Sequence, residues 1–317
     1  MLSIIRNISK NLNLRTEYNN KMRVFVPPIL TDVSLRDGLQ GLSRELQETF
    51  TLNKKKDIFH NIMFNYKPKN IEIGSIINPK VLPIMNDSLY LHDYAVNFIK
   101  NVIKSDTNVY VAVPNEKGFN IGMSHGVKNF SFLTSVSNSF QKKNVNKTLL
   151  ETKKELKIIF AKMENVEKIK PYEFKTKLYI SCITDCPLEG KIDNDNIIHE
   201  ILYYHTEFPN INEFCLSDTR GSLKFEDYKY IVDNCIFFGM HPSKISLHLH
   251  VNKQNVQEFN HIIKHSINND INRFDVSIME SGGCSLTMPS SDLLPNASYE
   301  LFDSLFTKYS NEILKNI

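Results

Sequence analysis

Short apolar runs alternate with longer amphipathic ones along most of the chain. The first run, residues 24–34, reads as a strand and is followed by a helical pattern over 52–66. Further strand-like runs fall at 70–75, 108–113, 127–134, 177–183, 211–217, 244–250 and 273–279. Between them apolar positions recur at steps of three and four. The clearest set, Leu156, Ile159, Phe160, Met163 and Val166, stacks on one helix face. Eight strand and helix pairs predict a closed parallel (β/α)8 barrel, the TIM barrel, as a single domain over 24–317. The competing α/β arrangement is an open doubly wound sheet. That fold calls for a Gly-rich phosphate-binding turn after the first strand, and none follows in a chain with 11 glycines.

Composition narrows the classes of function. The 317 residues are 41% hydrophobic and 23% charged, which suits a globular chain rather than a disordered one. Lys and Arg number 38 against 35 Asp and Glu, a net charge of +3, so no nucleic-acid partner is expected. No apolar stretch reaches the roughly 18 residues a membrane helix requires, so no membrane partner is expected either. The 5 cysteines form no Cys-x-x-Cys pair, which points to free thiols in a reducing compartment. Residues 1–23 carry Arg6, Lys10, Arg15, Lys21 and Arg23 against Glu17 alone. They read as a basic tail or a transit segment, which leaves the cytoplasm and the mitochondrial matrix both open.

In a barrel of this kind the chemistry gathers where the strands end. Arg36 and Asp37 close the first run, Glu72 sits on the second, and Asp218 and Thr219 end the sixth. His248 and His250 end the seventh, and the eighth runs into Gly282, Gly283 and Cys284. Alternation along Ser246-Leu247-His248-Leu249-His250 puts both imidazoles on one face of the strand. Two imidazoles with a carboxylate such as Asp37 suit a partly hydrated Mg²⁺ or Mn²⁺. Arg36 is placed to stabilise negative charge developing on a substrate oxygen. Cys284, after two glycines, is a thiol on a loop that can approach a substrate, whereas Cys215 and Cys235 read as small buried residues.

These residues carry a resemblance. Arg36-Asp37-Gly38-Leu39-Gln40 is similar to the signature of 3-hydroxy-3-methylglutaryl-CoA lyases, within a larger superfamily of metal-dependent lyases and Claisen-type synthases. The likeness continues through Asn78-Pro79-Lys80, Pro114-Asn115-Glu116-Lys117-Gly118-Phe119 and Gln141-Lys142-Lys143-Asn144. It is densest at Tyr179-Ile180-Ser181-Cys182 and Cys186-Pro187-Leu188-Glu189-Gly190-Lys191, then follows Ser217-Asp218-Thr219, His248-Leu249-His250 and Gly282-Gly283-Cys284 in order. It implies cleavage of 3-hydroxy-3-methylglutaryl-CoA to acetyl-CoA and acetoacetate, an acyl-CoA substrate, a divalent cation (Mg²⁺ or Mn²⁺) and a homodimer. By position it implies Asp37, His248 and His250 as metal ligands. Arg36, Glu72, Asp218, His248 and Cys284 are then the catalytic set, with Asp37 and His248 both open as the base.

Some positions depart from the pattern. After His250 the family continues Asp-Thr, while this chain has Val251-Asn252, so a supporting carboxylate is lost. The loop after Cys284 lacks the family's Gly-Asn pair at its usual spacing, and Asp292 is the candidate replacement ligand. Arg220 adds a positive charge near the mouth. These changes leave two alternatives: an impaired barrel that only binds a ligand or partner, and an aldol lyase or acyl-CoA synthase acting on another acid.

Overall fold

The computed structural model describes residues 27–169 and 173–315; the basic segment 1–23 and the first residues of the opening run lie outside them. Eight parallel strands close into a barrel. They are β1 (Ile29–Asp32), β2 (Asn70–Ser75), β3 (Asn108–Val113), β4 (Asn129–Ser135), β5 (Lys175–Ser181), β6 (Glu213–Asp218), β7 (Ile245–Leu249) and β8 (Arg273–Val276). Each pairs with its neighbour in sequence. β8 returns to β1 with Ile29 opposite Arg273 and Asp32 opposite Val276. The outer layer is built from α1 (Leu52–Asn65), α2 (Ser88–Phe98), α3 (Glu116–Ser124), α4 (Leu149–Ile169), α5 (Asn194–Glu207), α6 (Phe225–Phe237), α7 (Val256–Asn268) and α8 (Tyr299–Lys315). The predicted TIM barrel is the observed fold.

The strands end where local chemistry stops the ladder. β1 begins only after Pro27 and Pro28, which have no N–H to give a neighbouring strand. It ends at Asp32, whose carboxylate accepts the Ser34 N–H at 2.9 Å and folds the chain into one wide helical turn, Ser34–Gly38. Arg36 and Asp37 therefore sit on a buried turn rather than on the strand itself. β5 stops at Ser181 because Cys182 takes a left-handed conformation, φ 64°. A two-stranded ribbon, Asp185–Cys186 with Gly190–Lys191, follows it.

Alternation divides the interior into two environments. Ile71, Ile73, Val109, Val111, Phe130, Phe132, Leu178, Ile180, Phe214, Leu216, Leu247 and Phe274 join the helices in the main apolar core. The Leu156, Ile159, Phe160 and Met163 stripe of α4 packs there as its spacing requires, with Val166 partly buried beside it. The intervening strand positions are polar: Asn70, Glu72, Ser131, Lys177, Tyr179, Glu213, Ser246, His248 and Asp275 are all buried. The usual filling of such a barrel is branched apolar side chains. Here the lumen is a charged, hydrogen-bonded column that leads up to the mouth.

Candidate active site

The column opens into a cleft lined by Arg36, Asp37, Gln40, Asn144, Tyr179, Ser217, His248, His250 and Cys284. One nitrogen or oxygen from each of Asp37, His248 and His250 lies within 4.8 Å of the others. The three residues expected as metal ligands are thus brought together.

Arg36 is held on two sides, donating from Nε to Glu72 and from Nη1 to Asp37 Oδ1 at 2.7 Å. Its guanidinium also lies 4.8 Å from the centre of the Tyr179 ring. Its Nη2 is buried without a partner, leaving one donor free at the cleft. Burial alone would raise the Asp37 carboxyl, but Arg36, His248, His250 and the Gly283 N–H outweigh it. They hold Asp37 far below the usual carboxylate range.

His248 is oriented from behind. Its Nδ1 lies 3.1 Å from Asp275 Oδ2. Burial would raise the Asp275 carboxyl, yet Lys177 and His248 draw it down to about 2, so it is ionised and can only accept. Nδ1 therefore carries a proton, and in the neutral ring Nε2 carries the lone pair. In that form the lone pair faces Asp37 Oδ2 across 3.6 Å. Burial and His248 push His250 down to about 4 despite the pull of Asp37, so this ring is neutral at pH 7, and its Nδ1 is buried without a partner.

Asn296 completes the group. The segment that carries it pairs onto the end of β7, with Val251 N–H bonded to Pro295 O at 2.9 Å and Ala297 N–H to Leu249 O at 3.2 Å. Its Nδ2 donates to Asp37 Oδ2 at 2.9 Å, and its buried Oδ1 has no partner. Facing lone pairs and an orphaned carbonyl oxygen fit a divalent cation held by Asp37, His248, His250 and Asn296. Asp292 does not join them. It is exposed on the turn Ser290–Asp292, where its Oδ1 accepts from Ser291, which corrects the expectation that it replaces the missing ligand. After His250, Asn255 Nδ2 braces the His250 carbonyl at 2.8 Å.

Asp218 also differs from expectation. It faces away from the lumen, and its two oxygens accept the N–H groups of Ser222 and Leu223 at 3.0 Å, which shapes the loop after β6. Burial raises it to about 6 against those donors. It positions the loop and does not line the cleft. Arg220 is exposed and likewise outside the cleft lining. Cys284 is half-buried at the rim with its Sγ 3.2 Å from Asn144 Oδ1, and burial raises its thiol above the ordinary value. Cys215 and Cys235 are fully buried, as expected. The roots of the first and last loops touch: a Cβ on Gly41 would stand 2.6 Å from the Gly282 backbone, and one on Gly282 would stand 2.6 Å from Asn296 Nδ2.

Three groups that matter here were not singled out from the sequence. Asp275 could have been found, because it shares the inward face of the last run with Arg273. Asn144 lay inside the resembling segment but was given no role. Asn296 offered no local signal.

No protein-family model matches the chain. Among curated proteins it is 26% identical over 215 residues to the mitochondrial hydroxymethylglutaryl-CoA lyase of Arabidopsis thaliana, covering 67% of this chain and 42% of that protein. It is 25% identical over 224 residues to the hydroxymethylglutaryl-CoA lyase of Bacillus subtilis, covering 70% and 67%. Among solved structures, the HMG-CoA lyase of Brucella melitensis superposes with a TM-score of 0.72 at 21% identity, over 89% of this chain and 91% of that one. In sequence and in fold the chain is similar to hydroxymethylglutaryl-CoA lyases. A second member, from A. baumannii and solved in complex with coenzyme A and 3-methylmalate, matches with a TM-score of 0.69 at 21% identity, over 91% and 84%. The aligned segment spans between 42% and 67% of the two curated family members named here. Among the described residues, no helix is long and apolar enough to cross a membrane.

Proposed function

We propose that this chain is a metal-dependent carbon-carbon lyase that cleaves 3-hydroxy-3-methylglutaryl-CoA to acetyl-CoA and acetoacetate. The observation that carries the reading is the grouping of Asp37, His248 and His250 within 4.8 Å of one another, with Asn296 bonded to Asp37 and with Arg36 and Cys284 at the same cleft. Oxygen and imidazole donors in a site open to the cleft favour Mg²⁺ or Mn²⁺. A bound cation would supply Lewis-acid polarisation of the substrate's tertiary hydroxyl and carboxylate.

The residues divide the remaining work. Asp37 already accepts from Arg36, Gly283 and Asn296, so its low basicity suits a ligand rather than the proton acceptor. The tertiary hydroxyl gives up its proton, with His248 the remaining candidate for the base, and the breaking carbon-carbon bond leaves its electron pair as an enolate on the thioester, for whose oxygen the free Nη2 of Arg36 is the donor. Glu72 keeps the guanidinium aimed. The raised thiol of Cys284 stays protonated near neutrality, the form needed to deliver a proton to the new methyl group. An acyl-CoA substrate agrees with the coenzyme A seen in the A. baumannii relative. By the same resemblance a homodimer is the expected assembly.

The test is acetoacetate release from 3-hydroxy-3-methylglutaryl-CoA by purified protein, with Mg²⁺ or Mn²⁺ and with a chelator, alongside Cys284→Ala and His248→Ala. Turnover that needs the cation and both side chains supports the reading. Cation binding without turnover points to another acid substrate, and loss of both leaves a barrel that only binds.

A further inference from the structure

Beneath the proposed cation site lies a buried lysine that is absent from the cleft lining. Lys177, on β5, is 2% exposed and bonds Asp275 Oδ1, with Glu213 Oε1 at 3.1 Å. Its ammonium lies 4.7 Å from the centre of the Tyr179 ring. The two oxygens of Asp275 have different neighbours. Oδ1 meets the ammonium, while Oδ2 meets His248 Nδ1 at 3.1 Å, the Tyr179 hydroxyl at 3.0 Å and Cys215 Sγ at 3.7 Å.

Burying such a pair is costly, and a well-packed apolar pair of similar volume often serves stability as well or better. What the ion pair gives that an apolar pair cannot is direction. A carboxylate pinned by one oxygen presents the other to the imidazole at a fixed angle. Because it can only accept, it dictates which ring nitrogen bears the proton.

We propose that Lys177 and Asp275 act as a positioning pair for His248, with Lys177 fixing the orientation of Asp275 and Asp275 fixing the Nδ1–H tautomer that turns the Nε2 lone pair toward Asp37. The pair touches no reacting atom; it acts through His248. The inference builds on the cation-site reading above, but its first readout does not require a cation.

That readout is the ¹⁵N spectrum of the histidine rings in the full-length protein without added metal, with His248 assigned by its loss in His248→Gln. The expected result, at a pH high enough that the ring carries a single proton, is a protonated Nδ1 and a bare Nε2. A protonated Nε2 beside a bare Nδ1 overturns the proposal whatever the variants do.

The second readout is Mn²⁺ affinity, followed by electron paramagnetic resonance, for wild type, Asp275→Asn and the double variant Lys177→Met/Asp275→Asn. In Asp275→Asn the ammonium of Lys177 captures the amide oxygen, so the amide NH2 is forced against His248 Nδ1. The ring proton must then move to Nε2, and Mn²⁺ affinity is expected to fall about 10- to 100-fold. Removing Lys177 as well frees the amide to turn its oxygen to His248, so the double variant should recover most of that loss. A merely structural role predicts the reverse, with the double variant worse than the single. Asp275→Asn binding Mn²⁺ as tightly as wild type, or a double variant weaker than the single, overturns the proposal. If wild type shows the Nδ1–H tautomer but binds no Mn²⁺, the positioning pair stands and the cation-site reading fails.

Discussion

Asn296 donates from its amide to Asp37 Oδ2 at 2.9 Å across 259 residues of chain, and this bond joins the first loop of the barrel to the last. It also turns the buried Oδ1 of Asn296 toward no protein partner. Asn296→Ala removes both the brace and the proposed ligand. Mn²⁺ affinity is expected to fall about 10- to 100-fold, as when a metal site loses a supporting partner. Asp292→Ala, exposed and outside the group, should bind as wild type does. Parallel titrations of the two variants separate the candidates.

Cys284→Ser keeps the shape of the rim and replaces a thiol with a far weaker acid. Turnover is expected to fall about 10²- to 10⁴-fold, the range for losing a general acid or base, with Mn²⁺ binding unchanged. Burial keeps the thiol protonated near neutrality, so alkylation by iodoacetamide should be slow at pH 7 and accelerate as the solution becomes alkaline.

Gly41 and Gly282 meet backbone to backbone, and a methyl group at position 41 would stand 2.6 Å from the Gly282 amide. Nothing flexible can yield there. Gly41→Ala is expected to cost about 1–3 kcal/mol, as overpacking typically does, and to displace the loop that carries Cys284. Urea unfolding measures the first effect, and a loss of turnover larger than the loss of folded protein measures the second.

Asp32 is buried under α8, where it accepts from Ser34 and from the Tyr299 hydroxyl at 2.9 Å. Burial pushes its carboxyl up to about 7, against those donors. An unfolded aspartate ionises near 3.9, so between about pH 4 and 7 the folded state holds a proton that the unfolded chain releases. This contribution is full below about pH 4 and is lost as pH rises through 7, with a slope approaching about 1.4 kcal/mol per pH unit. Asp218, raised to about 6, acts in the same direction over the lower part of that window. Asp32→Asn should flatten the fall in stability between pH 6 and 7 and leave a slope below pH 6. Unfolding curves at half-unit pH steps test this.

Removing the cation should also be visible without substrate. A ligand at about 100 times its Kd stabilises the folded state by roughly 2.7 kcal/mol. Excess Mn²⁺ is therefore expected to raise the melting temperature of wild type and to leave that of His250→Ala nearly unmoved. Equal shifts in both proteins would count against His250 as a ligand.

The strands were legible because their outward positions are Ile, Val, Leu and Phe, whichever way the polar lumen is filled. β2 and β3 match the expected 70–75 and 108–113 to the residue. Strand ends were less legible, since the Asp32–Ser34 turn and the left-handed Cys182 are decided by single hydrogen bonds and torsions. Arg36, Asp37, Glu72, His248 and His250 were readable because they lie on strands or within a few residues of a strand end, where position in the chain fixes position at the mouth, whereas Cys284, eight residues past β8, was read from its two preceding glycines and the resemblance. Asp218 was read as catalytic from the resemblance and from its place at a strand end, but the alternation that turns Ser217 inward turns Asp218 away. Asn296 escaped because counting from Cys284 assumes a loop of fixed length, and Asp275 because it acts behind the histidine rather than at the cleft.

The pairing of Val251 with Pro295 and of Leu249 with Ala297 places Asn296 by registry with β7, not by its distance from Cys284. The intervening residues 285–293 are therefore an excursion anchored at both feet, with Ser285 bonded to the Gln40 carbonyl and Met288 buried. Their number and kind can drift without disturbing the ligand beyond them. Lineages, and protein engineers, can use that latitude to reshape what the mouth admits while the bond-breaking apparatus is inherited unchanged.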